Sequence, residues 1–290
     1  MKKIHIIYNP NAGKNHRLEG LALALLQRGM AVSLFVTGKS GDAEEEAFRQ
    51  TERQEVDALI SFGGDGTLNE IVNGIMRSSN QLPVAVFRGG TVNDFAKYLD
   101  MPIDSGEFAD LIANFTVYPT DLGKINHRYF INVFSCGVVS NVAHKTDRQL
   151  KSMLGSLAYY IEGVKELSVQ GLSGRHIFVQ GENYLYNGEY VLFLITNSTS
   201  TGGFSKMSPK ATIHDGVLNC LMIKKAPITD IFDIVTKVTQ GKHISNDYVV
   251  YFETKKIHIE TDDELDVDGE LFEKGPVDIE VVPGKLLMIY

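Results

Sequence analysis

The chain has 290 residues, 43% of them hydrophobic and 22% charged, which suits a globular protein of one large domain or two medium ones. A formal net charge of −8 argues against nucleic acid as a partner and against a polybasic membrane anchor, since both need a basic surface. The two cysteines, Cys136 and Cys220, are too far apart for zinc-ligand or redox spacing and are expected to be buried thiols in a reducing compartment.

Met1-Lys2-Lys3-Ile4-His5 leads straight into strand-like sequence with no signal-peptide apolar stretch, so a cytoplasmic location is expected. Lys3–Tyr8 is predicted as a strand. Arg17–Gly29 is predicted as a helix, with Leu18, Leu21 and Leu25 on one face and Gly29 as its stop. A strand at Ala31–Val36, a glutamate-rich helix at Asp42–Arg53 and a strand at Ala58–Phe62 follow. Next come a helix at Leu68–Met76, a strand at Pro83–Phe87 and a further helix from Asn93 to Leu99. Alternating strands and helices with short connections imply a doubly wound parallel sheet.

After about residue 122 the texture changes. Arg128–Val133, Arg175–Gln180, Glu189–Thr196, Gly216–Ile223, Lys256–Ile259, Val277–Val282 and Lys285–Ile289 have strand character. Asn187-Gly188 and Asp215-Gly216 look like turns between strands. Helical texture returns only near Leu154–Leu167 and Ile228–Thr239. A second, mostly antiparallel β domain is expected. A cleft between two such domains is a common ligand site. The longest apolar run, Tyr190–Thr196, is far shorter than the roughly 20 residues of a membrane-spanning helix.

The sharpest local signal is Gly63-Gly64-Asp65-Gly66-Thr67-Leu68-Asn69-Glu70, which follows a strand and opens a helix. Glycines let a backbone approach a phosphate, and a helix start presents free N–H donors to an anion. Asp65 in the middle of the loop would repel a triphosphate unless Mg²⁺ lay between them. Thr67-x-x-Glu70 also fits a helix capping box, as does Thr91-x-x-Asp94 in the loop Gly89-Gly90-Thr91-Val92-Asn93-Asp94-Phe95. A third loop, Asn9-Pro10-Asn11-Ala12-Gly13-Lys14, follows the first strand. All three loops lie at the carboxyl ends of parallel strands, the edge where open α/β sheets bind ligands. A P-loop is excluded because Asn15 follows Gly13-Lys14 and Tyr8 replaces its first glycine. The dinucleotide fingerprint is incomplete, because Asn69 stands at its third glycine. A NAD-dependent dehydrogenase is therefore a weak alternative.

In these motifs the sequence resembles the diacylglycerol-kinase catalytic family. The resemblance rests on Asn9-Pro10-x-x-Gly13, the Gly63–Glu70 loop, Gly90-Thr91-x-Asn93-Asp94-Phe95-Ala96, and Asp268-Gly269-Glu270, in that order along nearly the whole chain. Asp121-x-Gly123-Lys124 and Arg128-Tyr129-Phe130-Ile131-Asn132 extend the similarity to the soluble bacterial members. The resemblance implies an ATP-binding α/β domain over residues 1–122, rejoined by residues 285–290. It implies a β-sandwich over residues 123–284, with the nucleotide in the cleft between the two. It also implies that Asn9, Pro10, Asn11, Ala12, Gly13, Thr37, Gly64, Asp65, Gly66, Thr67, Leu68, Asn69, Glu70 and Thr91 line the ATP site. Asp65, Asp94 and Asp121 then surround the phosphates and catalytic Mg²⁺, Glu270 is the general base, and Asp268 orients it or holds metal. A second, structural Mg²⁺ is implied at Thr212, Asp215 and Val217. The family often carries a more acidic run at this place, whereas Ile213-His214 precede Asp215 here, and a plain hairpin turn fits the same residues.

The implied reaction is transfer of a phosphoryl group from ATP to a lipid alcohol, diacylglycerol first among the candidates. Transient contact with a membrane surface and a homodimer go with it. Lys14 and Arg17 are candidate phosphate partners. Phe134, Val138, Val139, Leu154, Leu157, Tyr159 and Tyr160 could line a lipid site, although ordinary core is the simpler reading. The alternatives are a NAD kinase, which would share the Gly-Gly-Asp-Gly loop, and a non-catalytic nucleotide- or lipid-sensing protein.

Overall fold

A computed structural model describes residues 1–12, 16–90, 93–137 and 175–290. The expected helix at Leu154–Leu167 lies outside the described residues. The chain divides into two compact units. The first holds Met1–Leu122, Arg128–Ile131 and Pro283–Tyr290, and the second holds Gly123–His127 and Asn132–Val282.

In the first unit, strands β1 (Lys3–Tyr8), β2 (Ala31–Val36), β3 (Ala58–Gly63) and β4 (Val84–Arg88) alternate with helices. These are α1 (His16–Gln27), α2 (Asp42–Arg53), α3 (Asp65–Arg77) and the short α4 (Asp94–Tyr98). The strands pair in parallel, β2 with β1, β1 with β3 and β3 with β4. All six residues of β3 are buried, as expected of a parallel strand covered on both faces. Two further elements were not expected from the sequence: α5 (Ser105–Asn114), capped by Asp104, and β5 (Val117–Ile125). β15 (Val277–Ile289) is one continuous strand where two were expected, and its Met288 pairs in parallel with Val84 of β4. Pro283-Gly284 does not break it, because Gly284 adopts positive φ and the strand bends there instead.

Aromatic rings show which helices cover which face. Tyr8, Phe62, Phe87 and Phe108 stack edge to face in succession at 4.9–5.1 Å, so α5 covers that face. α1 joins it, since Arg28 pairs with Asp110 of α5 at 2.6 Å. The opposite face carries α2 and α3, which pack on each other closely enough to require glycine. A Cβ on Gly74 would lie 2.2 Å from the Glu44 carbonyl oxygen. Gly74→Ala is therefore expected to destabilise the fold by about 1–3 kcal/mol through overpacking, although alanine is the better helix former. Thermal melting reads the sign, and a higher melting temperature in the variant contradicts the close approach.

On the same face His5 is buried, with Ser33 Oγ 2.7 Å from Nδ1 and Glu46 3.0 Å from Nε2. Burial outweighs the attraction of the Glu46 carboxylate and holds the imidazole below its ordinary pKa. A depressed histidine pKa means the unfolded chain binds the proton first. This contribution to stability is therefore complete above about pH 6.5 and is lost as the pH falls below it. The melting temperature should drop less between pH 7 and 5 in His5→Gln than in the natural chain. An equal drop removes His5 as a source.

The second unit is antiparallel. β9 (Leu185–Thr196) is its spine, with β10 (Leu218–Lys224) along one edge and β11 (Val249–Thr254) beyond that. The other edge of β9 is shared end to end by β7 (Val133–Gly137) and β8 (Arg175–Gly181). β7 continues to β13 (Leu265–Val267) and β14 (Glu270–Phe272), and β8 continues to β12 (Lys256–Thr261) and β15. This split produces the two layers of a sandwich. Helix α6 (Ile228–Val238) buries Ile231, Ile234 and Val238 against Leu194, Leu221 and Ile223. Asn187-Gly188 is not the expected turn. Both residues lie within β9, paired with Phe178 and Ile177, because the apolar alternation continues through them. Cys136 and Cys220 are free and buried, as expected, and burial raises both thiol pKa values. Among the described residues, no helix is long and apolar enough to cross a membrane.

Candidate functional site

Three loops at the carboxyl ends of β1, β3 and β4 are tied to one another by hydrogen bonds in the first unit. The Asn9 N–H donates to Phe62 O at 3.0 Å, and Asn9 Nδ2 donates to Thr67 Oγ1 at 3.0 Å. The Gly90 N–H donates to Gly63 O at 2.9 Å, and Asn93 Nδ2 donates to the same carbonyl at 3.0 Å. Small residues are required here. A Cβ on Gly63 would fall 2.3 Å from Thr67 Oγ1, and one on Gly90 would fall 2.7 Å from Gly64 Cα. Thr37, at the end of β2, donates its N–H to Tyr8 O beside Asn9 at 2.9 Å.

Asp65 joins the second and third loops. Its carboxylate accepts the N–H of Asp94 at 3.1 Å and of Phe95 at 3.3 Å, so it caps α4 from a distant part of the chain. Burial, and then the nearby charge of Asp94, push the Asp65 pKa above the ordinary carboxylate range, with Lys97 in partial opposition. Two adjacent carboxylates that disfavour each other's charge are a fitting donor set for a divalent cation. Among the described residues, no group of three or more metal-ligating side chains forms. A cation at Asp65 and Asp94 would thus draw its other ligands from phosphate, water or backbone.

Neither capping box forms. α3 starts at Asp65 with Gly64 as its N-cap, which places Thr67 inside the helix. Glu70 instead accepts from Ser40 Oγ at 3.0 Å and from the Ala43 N–H at 3.2 Å, where it caps α2. The N-cap of α4 is Asn93, one residue before Asp94. Leu68 is wholly buried, and Asn69 Nδ2 donates to Tyr129 O at 3.1 Å. Within Gly63–Glu70, Gly64, Asp65, Gly66 and Glu70 are half-buried and the rest are buried. Arg17 is not a free phosphate partner. Its guanidinium donates to the carbonyls of Arg88 and Ile103 and lies over the Phe87 ring. Pro10, Asn11 and Ala12 form a short 3-10 turn after Asn9, and the Asn11 N–H donates to Asn9 Oδ1 at 3.0 Å. Gly13, Lys14 and Thr91 lie outside the described residues. Asp121, on β5, is buried and accepts the Gly284 N–H at 2.7 Å at the bend of β15.

The second unit carries the remaining candidates. Asp268-Gly269 is the two-residue turn between β13 and β14, with φ of 51° and 90°, the conformation of a tight primed hairpin. Asp268 Oδ1 accepts the N–H of Asn132 at 3.0 Å and of Val133 at 2.8 Å, which fixes the turn to the start of β7. Glu270 follows, exposed, and no described residue hydrogen-bonds or ion-pairs with its carboxylate. Asn132 was given no role from sequence. It also donates from Nδ2 to Ser200 O at 2.9 Å and accepts from Ser198 Oγ at 2.5 Å, tying the Glu270 hairpin to the loop after β9. Only its place at the end of the Arg128–Asn132 motif hinted at this.

Asp215 is exposed at the turn before β10, and its Oδ1 accepts the Val217 N–H at 3.1 Å. Thr212 and Val217 are half-buried beside it. Of the residues considered for a lipid site, Phe134 is wholly buried on β7, as ordinary core would be. Val138, Val139, Leu154, Leu157, Tyr159 and Tyr160 lie outside the described residues.

Residues 3–125 match the diacylglycerol kinase catalytic domain, and residues 132–290 match the YegS C-terminal NAD kinase beta sandwich-like domain. A diacylglycerol kinase of Staphylococcus epidermidis is 38% identical over 280 residues, 95% of this chain and 88% of that protein. One from Bacillus subtilis is 34% identical over 93% of this chain and 90% of its own length. The crystal structure of a diacylglycerol kinase from Bacillus anthracis superposes with a TM-score of 0.82 at 29% identity, covering 100% of this chain and 97% of that one. Motif order, sheet topology and these relatives converge: the chain belongs to the diacylglycerol kinase family of lipid kinases.

Proposed function

We propose that this chain transfers the γ-phosphoryl group of ATP, as its Mg²⁺ complex, to the free hydroxyl of diacylglycerol, giving phosphatidic acid and ADP. The observation that carries the donor half is the pairing of half-buried Asp65 with buried Asp94, set among glycine loops whose backbone can approach phosphate. Mg²⁺ held by these carboxylates would neutralise charge on the phosphates. The chain's own residues fix the loops. Asn9, Thr67 and Asn93 lock them together, and Asp65 holds the Asp94 segment in place.

The acceptor half rests on Glu270. A lipid hydroxyl has a very high pKa and must lose its proton as its oxygen bonds to phosphorus and the bond to ADP breaks. An exposed carboxylate with no competing partner among the described residues can take that proton. Asp268 orients the turn that carries it. A second Mg²⁺ at Thr212, Asp215 and Val217 belongs to the same reading. There one carboxylate would act with carbonyl oxygens and water. The enzyme works from the cytoplasm and touches the membrane surface only while its lipid is bound.

The test is transfer of radiolabelled phosphate from ATP to a panel of lipid alcohols in mixed micelles, with and without Mg²⁺ and with NAD offered in parallel. Labelled phosphatidic acid, formed only with Mg²⁺, is expected. Labelling of NAD alone would reassign the acceptor, and no ATP turnover at all would favour a sensing role.

A further inference from the structure

We propose that Arg88 is a positioning residue for phosphotransfer: its guanidinium straps the end of β4 to α4 and so sets where Asp94 stands. The inference deepens the reading above and rests on it for the role of Asp94.

α4 is a single turn of five residues, too short to hold a position by its own hydrogen bonds. Tertiary contacts place it. Phe95 and Ala96 are wholly buried, and both ends are gripped. At the start, the Asp65 carboxylate accepts the N–H groups of Asp94 and Phe95. At the far end, Asp100 takes positive φ and turns the chain back. Its N–H donates to Lys97 O at 3.1 Å, and the Met101 N–H donates to Ala96 O at 3.0 Å. Arg88 Nη2 donates to the same Ala96 carbonyl at 3.1 Å. A carboxylate at the first end and a guanidinium at the last match the polarity of a helix's free N–H and C=O groups.

Arg88 is the last residue of β4. Only the loop from Gly89 to Asn93 separates it from α4, and Gly89-Gly90 impose little conformational preference of their own. The Gly90 N–H and Asn93 Nδ2 tie this loop to Gly63 O, but both ties stop short of the helix. The Arg88 side chain spans the loop from strand to helix. Its anchor is fixed. Arg88 is paired with Gly63 of β3, and Arg17 Nη1 donates to Arg88 O at 2.8 Å. Arg17 also holds Ile103 O and covers the Phe87 ring, which makes it part of the same anchor.

A cost marks Arg88 as more than a structural residue. Among the described residues its guanidinium hydrogen-bonds only through Nη2, and Nε is buried with no partner. A buried unpaired donor destabilises a fold, and one in a native protein needs an explanation. An unbranched, adaptable methionine would fill similar space without that cost. Stability alone therefore favours methionine at this position. What methionine cannot supply is a donor that reaches across the loop to the helix carrying Asp94.

Arg88→Met is expected to lower kcat for lipid phosphorylation about 10-fold, short of the roughly 10²-fold cost of a 1 Å misplacement, with KM for the lipid unchanged. The melting temperature should hold or rise, because the buried unpaired donor is gone. Arg88→Lys keeps a cationic donor and should recover most of the lost kcat. Hydrogen exchange on the full chain without nucleotide gives a readout separate from turnover. The amides of Lys97, Leu99 and Met101 bond to the carbonyls of Asn93, Phe95 and Ala96. They should exchange faster in Arg88→Met, while those of β3 and β4 should not. Unchanged kcat in Arg88→Met, a fall in kcat matched by a fall in melting temperature, or unchanged exchange at α4 overturns the proposal. If the natural chain phosphorylates no lipid, the phosphotransfer reading fails by itself, and the exchange comparison still decides whether Arg88 holds α4.

Discussion

Replacing Glu270 by glutamine lowers kcat for lipid phosphorylation by about 10²–10⁴, the range that general-base catalysis contributes, and leaves the melting temperature unchanged. The second half of that expectation makes the first informative. Glu270 is exposed and no described residue holds its side chain, so its loss disturbs no packing and leaves no buried partner. Asp268, two residues earlier, is the opposite case. It anchors two backbone N–H groups at the start of β7, and Asp268→Ala should lose activity and stability together. Steady-state kinetics with melting curves on both variants separates a proton acceptor from a hairpin anchor. Full activity in Glu270→Gln would remove Glu270 from the chemistry.

Asp65→Ala is expected to lose at least about 10²-fold in kcat, the cost of shifting reactive groups by about 1 Å. In the folded chain Asp65 holds the N–H groups of Asp94 and Phe95. Without its carboxylate, the first turn of α4 loses its tie to α3, while Gly90 and Asn93 still bond to Gly63 O. The stability change depends on pH, with a sign set by the raised pKa. A carboxyl whose pKa is higher when folded binds its proton more tightly in the folded state. Its contribution is most favourable below the ordinary carboxylate range and is lost as the pH rises through the folded value. At neutral pH, Asp65→Ala gives up a helix cap worth about 1 kcal/mol but also relieves the strain between two like charges. The gap in melting temperature between the natural chain and the variant should therefore widen as the pH falls from 7 to 5. A gap that narrows would mean that Asp65 is stabilised as an anion.

The elements that sequence located well are those with strong periodicity. β1, β2 and α2 have the bounds expected from their patterns, and β3 and β4 differ by a residue at their ends. The misses have physical causes. The two strands expected at the C-terminus are one, since glycine at positive φ bends β15 without ending it. Asn187-Gly188 has the chemistry of a turn but sits inside β9, where ladder pairing outweighs local preference. Asp268-Gly269-Glu270 was legible as a motif, but its place on a hairpin that presents Glu270 depends on the pairing of β13 with β14.

The candidate site divides in the same way. Glycine-rich loops at the ends of β1, β3 and β4, the acidic residues within them and the order of the motifs were all determined by the sequence, because backbone permissiveness and charge are properties of residue type. Which polar side chain serves which purpose was decided only by the tertiary structure. Thr67 and Glu70 have the spacing of a local cap, yet Thr67 bonds to Asn9 and Glu70 caps α2. Arg17 has the charge of a phosphate ligand, yet it serves two backbone carbonyls. A hydrogen-bonding group takes the partner that folding brings within about 3 Å, and between residues far apart in sequence no local pattern encodes that distance.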